Sequence, residues 1–317
     1  MKHKFKIIDY KKYKDINKIK KAMSEDGVVL LRNFYDKNII EKLILEWNKY
    51  FNKPAVNGVF GYSRTAYYRF NLNPFILGEP AVKVLLDLRL IKIIEKCMGA
   101  DCILAEADAK KDKATNYNYF PLHSDFSISW KKSEEIKKGL SKTDLNNVLG
   151  IGGILYLHDT SQGAFSYSIG SHKLKSPYGQ KLNSYPNSMK EDIQNKVEVC
   201  SGIKGDLVLF DDRGFHGPSL PSRKDRSVIL MDFYNSNILG QKIVTPYQIW
   251  SSNIGLLNKK QMRVLGCNAV SMVDVQKSVR TRFQNNSLYN VTCFIINKAY
   301  LFDNLKAKIK KFIQYKV

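Results

Sequence analysis

Histidine is scarce in this chain: five in 317 residues, at positions 3, 123, 158, 172 and 216. A site built on imidazoles must draw on that handful, so each can be weighed. Cysteine is equally sparse. Cys97, Cys102, Cys200, Cys267 and Cys293 are odd in number, and no pair has CxxC spacing. That argues against a disulfide scaffold or a structural zinc site and for a reducing, cytoplasmic setting. No apolar run reaches the roughly 18 residues that cross a bilayer. The basic start, MKHKFKIIDYKKYKDINK, has no continuous apolar stretch, so no signal peptide is expected. Acidic residues are outnumbered, 29 Asp+Glu against 51 Lys+Arg, for a net charge of +22. A field of that sign favours an anionic partner. The joint abundance of Lys, Ile and Asn fits a biased genomic base composition equally well, with no function attached.

What is present supports a folded core, with 44% hydrophobic residues. GVVLLRNF (27–34) reads as a short buried strand. Asp36 caps a helix whose apolar face is Ile39, Ile40, Leu43, Ile44 and Trp47. Residues 80–98 read as one further helix. From about 100 onward short β-rich runs recur: CILAEAD (102–108), GIGGILYL (150–157), DLVLF (206–210) and SVILMDFY (227–234). Long connections and no βαβ alternation make this a mainly β fold with flanking α-helices, a sandwich or jelly roll. The polar insertion 131–148 and the connection 171–200 fall where substrate loops lie on such folds. After 236 the pattern turns helical. We therefore divide the chain into 1–236, with the β core at about 100–236, and a helical extension, 237–317. The last stretch, 301–317, is a basic amphipathic helix. It fits either docking on the domain or peripheral contact with the anionic inner face of a membrane.

His123 opens the one His-x-Asp/Glu in the chain, His-Ser-Asp. On an extended segment residues i and i+2 point to the same side, so His123 and Asp125 can hold one metal together. His216, just past the strand DLVLF, supplies a third ligand. Two imidazoles and a carboxylate on one octahedral face leave three positions open, the arrangement of non-haem iron(II) oxygenases. Arg226, ten residues after His216, opens the next β-rich run. Its planar fork suits the distal carboxylate of 2-oxoglutarate. The open iron positions then take the keto acid and O2.

These segments resemble the phytanoyl-CoA dioxygenase family of iron(II)/2-oxoglutarate oxygenases. EDGVVLLRNF (25–34), LHSDF (122–126), GGILYLHDTSQGAFSYSIGSHK (152–173) and GDLVLFDDRGFHG (205–217) with Arg226 carry the likeness, over about residues 20–236. The resemblance implies a double-stranded β-helix, a cupin-like jelly-roll core with helices outside. It implies His123, Asp125 and His216 as iron ligands and catalytic residues, and Arg226 as the 2-oxoglutarate anchor. Family halogenases carry Ala or Gly where Asp125 stands, so hydroxylation or a related oxidation is implied here. Two departures stand out. The usual Pro-Gly-Ser-His is Ile169-Gly170-Ser171-His172, and Pro218 occupies a position where many relatives carry a hydroxyl residue. Ser219 is the candidate to replace that hydroxyl in holding the cosubstrate.

The other histidines read as structural: His172 in its turn, His158 in loop packing, His3 in a frayed terminus. Tyr117, Tyr119, Phe120, Phe126 and Trp130 flank the metal motif as core, with one or two lining the pocket. Tyr62, Arg64, Tyr67, Tyr68 and Arg69 form either a solvated face or a patch for an anionic substrate. The expected substrate is small or carrier-linked and anionic, for instance a glycan precursor, nucleotide sugar, acyl thioester or lipid, and nucleic acid is not expected as the oxygenase's partner. Two rivals remain. One is a non-catalytic jelly roll binding an anionic glycan, nucleic acid or membrane. The other is a zinc- or other-metal cupin-like hydrolase, which has no need of Arg226.

Overall fold

The computed structural model describes residues 5–51, 61–64, 69–125 apart from 117 and 119, 147–174 apart from 161, 181–239, 247–266, 272–274 and 305. In chain order the elements are β1 (Lys6–Asp9), α1 (Ile16–Asp26), β2 (Val28–Arg32), α2 (Lys37–Phe51), β3 (Gly61–Arg64), β4 (Arg69–Leu72), α3 (Glu79–Leu85), α4 (Leu88–Met98) and β5 (Cys102–Asp112). There follow β6 (Gly150–Tyr156), β7 (Phe165–Ser168), α5 (Asn187–Asn195), β8 (Val197–Cys200), β9 (Leu207–Asp211), β10 (His216–Pro218) and β11 (Arg226–Asn235). Short pieces close the described chain: α6 (Ser236–Leu239), β12 (Tyr247–Ile249), α7 (Ser251–Ile254), α8 (Lys259–Val264) and β13 (Met272–Asp274).

Eight strands form a mixed sheet in the order β1-β2-β9-β6-β11-β5-β4-β3, and β10-β7-β8 form a second, smaller sheet. Side chains alternate along each strand, so the large sheet has two apolar faces. One face presents Val29, Leu31, Leu104, Ile229 and Phe233 to helix residues such as Ile19, Leu43 and Ile91. The other presents Val28, Leu30, Ile154, Val208 and Val228 to Phe165 and Tyr167 of the small sheet. This is why β2 reads as an unbroken apolar run: it is buried on both sides. Each fully buried Leu or Val there stabilises the fold by about 1.5–3 kcal/mol. The architecture is the mainly β, jelly-roll arrangement with outer helices that the sequence suggested.

Glycine is required at two places on this frame. Gly27 ends α1 with φ +81°. A Cβ there would sit 2.4 Å from His172 Nδ1. At Gly152 in β6 a Cβ would come within 2.1 Å of the Phe210 ring. Phe210 can lie across the inner sheet face only because residue 152 has no side chain.

The expected single helix over 80–98 is two. Asp87 interrupts it, and its Oδ1 accepts the N–H of Arg89 at 2.8 Å to cap α4. The basic start contributes β1, parallel to β2 with Lys6 opposite Val29. The connection 171–200 contains α5 and β8. Past 236, Tyr247, Ile249, Val264 and Leu265 join the same core as the N-terminal helices. Trp250 Nε1 donates to Ile76 O at 2.9 Å, and Arg263 pairs with Glu95 at 2.6 Å. Apart from Leu305, which is exposed, the basic helix 301–317 lies outside the described residues. Among the described residues no helix is long and apolar enough to cross a membrane.

Candidate metal centre

Backbone pairing brings the two site histidines together. His123 N–H donates to His216 O at 3.0 Å, and His216 N–H returns to His123 O at 2.8 Å. Two residues on, Asp125 N–H donates to Asp212 O at 3.0 Å. Ser124, between the ligands, turns the other way, and its hydroxyl donates to Arg213 O at 2.9 Å. His123 and Asp125 therefore share one side of an extended segment, as the i, i+2 spacing requires.

The three side chains converge. Asp125 lies 3.5 Å from His123 Nε2 through Oδ1 and 3.2 Å from His216 Nε2 through Oδ2. All three ligand atoms lie within 4.8 Å of one another. Ligands about 2.1 Å from a metal and adjacent on an octahedron stand about 3 Å apart, so a small inward adjustment closes the site. Both imidazoles are oriented for it. His123 Nδ1 lies 3.2 Å from Pro121 O and His216 Nδ1 2.9 Å from Gly214 O. A carbonyl only accepts, so each Nδ1 carries a proton, and Nε2, turned toward Asp125, is left as the nitrogen available to a metal. Burial works against a charge on Asp125, but the facing imidazoles of His216 and His123 outweigh it and hold the carboxyl below the usual range. This donor set fits a divalent iron.

Aromatic rings support it from behind. The Phe210 and Phe165 rings lie 4.7 and 5.7 Å from that of His216, and Phe120 meets His123 edge-on at 4.7 Å. Tyr117, Tyr119, Phe126 and Trp130 lie outside the described residues, as do Tyr67, Tyr68 and the side chains of Tyr62, Arg64 and Arg69.

The triad opens on a cavity of about 180 Å³. Its far wall is the antiparallel pair β5–β11, with Glu106, Asp108 and Lys110 from one strand and Arg226, Leu230 and Asp232 from the other. Arg226, expected from the sequence as a carboxylate anchor, lines the same cavity as the triad, and it has a partner already. Its Nε and Nη2 donate to Asp112 Oδ2 at 3.0 and 2.5 Å, and both residues are buried. Pro218 lines the cavity; Ser219 is not among its lining residues, and its N–H donates to Ala164 O at 2.7 Å. His158 Nε2 accepts the N–H of Ser227 at 2.8 Å, and His172 Nε2 lies 3.2 Å from Ser24 O, so both hold loops in place.

Sequence reasoning missed the charged wall. The signal was there: in CILAEADAKKD Ala105, Ala107 and Ala109 alternate with Glu106, Asp108 and Lys110. A period of two gives one core face and one charged face, and the charged face is the cavity wall.

No protein-family profile matches the chain, and no curated protein matches it. Solved structures do. A structure of EctD from S. alaskensis with 2-oxoglutarate and 5-hydroxyectoine aligns over 70% of this chain and 76% of its own, with a TM-score of 0.52 and 13% identity. The non-haem α-ketoglutarate-dependent epimerase SnoN from nogalamycin biosynthesis aligns over 70% and 83%, with a TM-score of 0.51 and 11% identity. At such identity the likeness is one of fold: this chain has the jelly-roll architecture on which those two enzymes are built.

Proposed function

We propose that the chain is an iron(II)- and 2-oxoglutarate-dependent oxygenase that hydroxylates, or otherwise oxidises, a C–H bond of a small or carrier-linked molecule. The observation that carries this reading is the pair of imidazoles with Nδ1 committed to backbone carbonyls and Nε2 turned onto one carboxylate. The fold shared with EctD, seen with 2-oxoglutarate, and with SnoN supports it. Bound iron would supply dioxygen activation coupled to decarboxylation of 2-oxoglutarate to succinate and carbon dioxide.

The chain's own residues do the rest. His123, Asp125 and His216 hold the metal on one side only, leaving the cavity side for cosubstrate and substrate. Arg226, steadied by Asp112, offers its guanidinium on the wall to the distal carboxylate of 2-oxoglutarate. Phe120, Phe165 and Phe210 keep bulk water from the ligands. Ser219, off the cavity lining, has no part in this reading.

Anaerobic titration tests it. Iron(II) with 2-oxoglutarate should raise a weak visible charge-transfer band, and air should then release succinate. His216→Ala should lose both. A protein that binds zinc, shows no band and releases no succinate would overturn the proposal.

A further inference from the structure

The β5–β11 wall carries a charge gradient whose acidic end cosubstrate binding does not use. Across it Glu106 faces Asp232, Asp108 faces Leu230, Lys110 faces Val228 and Asp112 faces Arg226. One end is acidic and the other holds the cations. Like charges directly opposite on neighbouring strands are destabilising, yet Glu106 and Asp232 stand so. Both line the same cavity as His123, Asp125 and His216, so the acidic end shares the cavity with the candidate metal ligands.

Asp232 points to a ligand. It lines the cavity at 9% exposure. Among the described residues its carboxylate accepts no hydrogen bond and joins no ion pair. A carboxyl buried this way is costly to ionise without a counter-charge, and burial together with the neighbouring carboxyls holds Asp232 well above its ordinary range; such departures from local rules cluster at functional sites. Asp125 belongs to the metal, and Arg226 and Asp112 neutralise each other. Glu106, Asp108 and Asp232 line the rest of the wall together with Lys110. These three carboxylates do not form a second metal site. Among the described residues His123, Asp125 and His216 are the one group of potential ligands that converges. Acids spread along a strand pair suit an extended organic cation better than a single ion.

We infer that the substrate carries a positively charged nitrogen, an alkylammonium or guanidinium group, held by Asp232 with Glu106 at the mouth. The basic end is then left to the carboxylate of 2-oxoglutarate. The net charge of +22 describes the whole chain and not this cavity. The substrate role rests on the oxygenase reading; the cation preference itself does not need iron.

The test takes the full chain, loaded anaerobically with iron(II) and 2-oxoglutarate and, in parallel, free of both. Calorimetric titration with butylammonium, butylguanidinium, butyrate and butanol at fixed ionic strength reads the sign of the site. Either cation should bind both forms at least tenfold more tightly than butyrate or butanol. Asp232→Asn should remove that preference and melt no lower than the parent, since it relieves a repulsion. Glu106→Gln is the second variant and should weaken cation binding in the same direction. Butyrate binding as tightly as the cations, no cation binding at millimolar concentration, or an unchanged preference in both variants overturns the inference. So does displacement of the cations by equimolar magnesium. A missing charge-transfer band alongside an intact cation preference would sink the oxygenase reading and leave this one standing.

Discussion

Arg226 meets Asp112 side-on, with Nε and Nη2 both donating to the same carboxylate oxygen, Oδ2, from directly across the β5–β11 ladder. Removing one member of a buried pair strands the other, at about 3–5 kcal/mol. Asp112→Ala should therefore lower the melting temperature sharply, with Asp112→Asn milder, both read by thermal denaturation. Equal stability of all three proteins would show that the pair is not needed to hold β5 on β11.

The guanidinium has a second job in the proposed function. Charged hydrogen bonds contribute about 1.5–3 kcal/mol each. Arg226→Lys keeps the charge and loses the fork, and should raise the KM for 2-oxoglutarate about 10- to 100-fold. Succinate release against 2-oxoglutarate concentration measures it, and an unchanged KM removes Arg226 from the cosubstrate site.

Asp125 contributes the only anionic ligand of the triad. Losing an outer-sphere partner of a ligand already costs about 10–100-fold in metal affinity. Asp125→Ala, which deletes a ligand, should cost more than that and abolish oxidation. Iron content after dialysis against a competing chelator checks the first point, and product formation the second.

Gly152→Ala reaches the same site through packing. The new methyl would overlap the Phe210 ring, which lies against His216. Overpacking of this kind costs about 1–3 kcal/mol, and the displaced ring should loosen iron binding as well. Asp87→Ala serves as the control: loss of the α4 cap should cost about 1 kcal/mol with iron affinity unchanged.

His172 sets a pH dependence. Burial lowers its pKa below the ordinary 6.5 and favours the neutral ring. The unfolded chain then binds more protons than the folded one, so stability falls as pH drops below about 6.5 toward the folded pKa and is retained above it. Urea melts between neutral and mildly acid pH should show this slope, and His172→Gln should flatten it.

His-Ser-Asp announces two candidate ligands on one side of the chain, because extended backbone allows no other relation between i and i+2. The strand after Gly27, the Asp36 cap and the apolar runs of β6, β9 and β11 are equally local, set by turn chemistry and side-chain period. The break at Asp87 is local too, yet it is masked by apolar residues of helical spacing on both sides. What the tertiary structure decided is which distant groups meet. The bridge from His123 to His216 depends on two segments pairing far apart in sequence. The partnership of Arg226 with Asp112 depends on the register of β11 against β5. The sign of the cavity follows from which strand faces enclose it, whereas composition counts charges and cannot say which of them face one another.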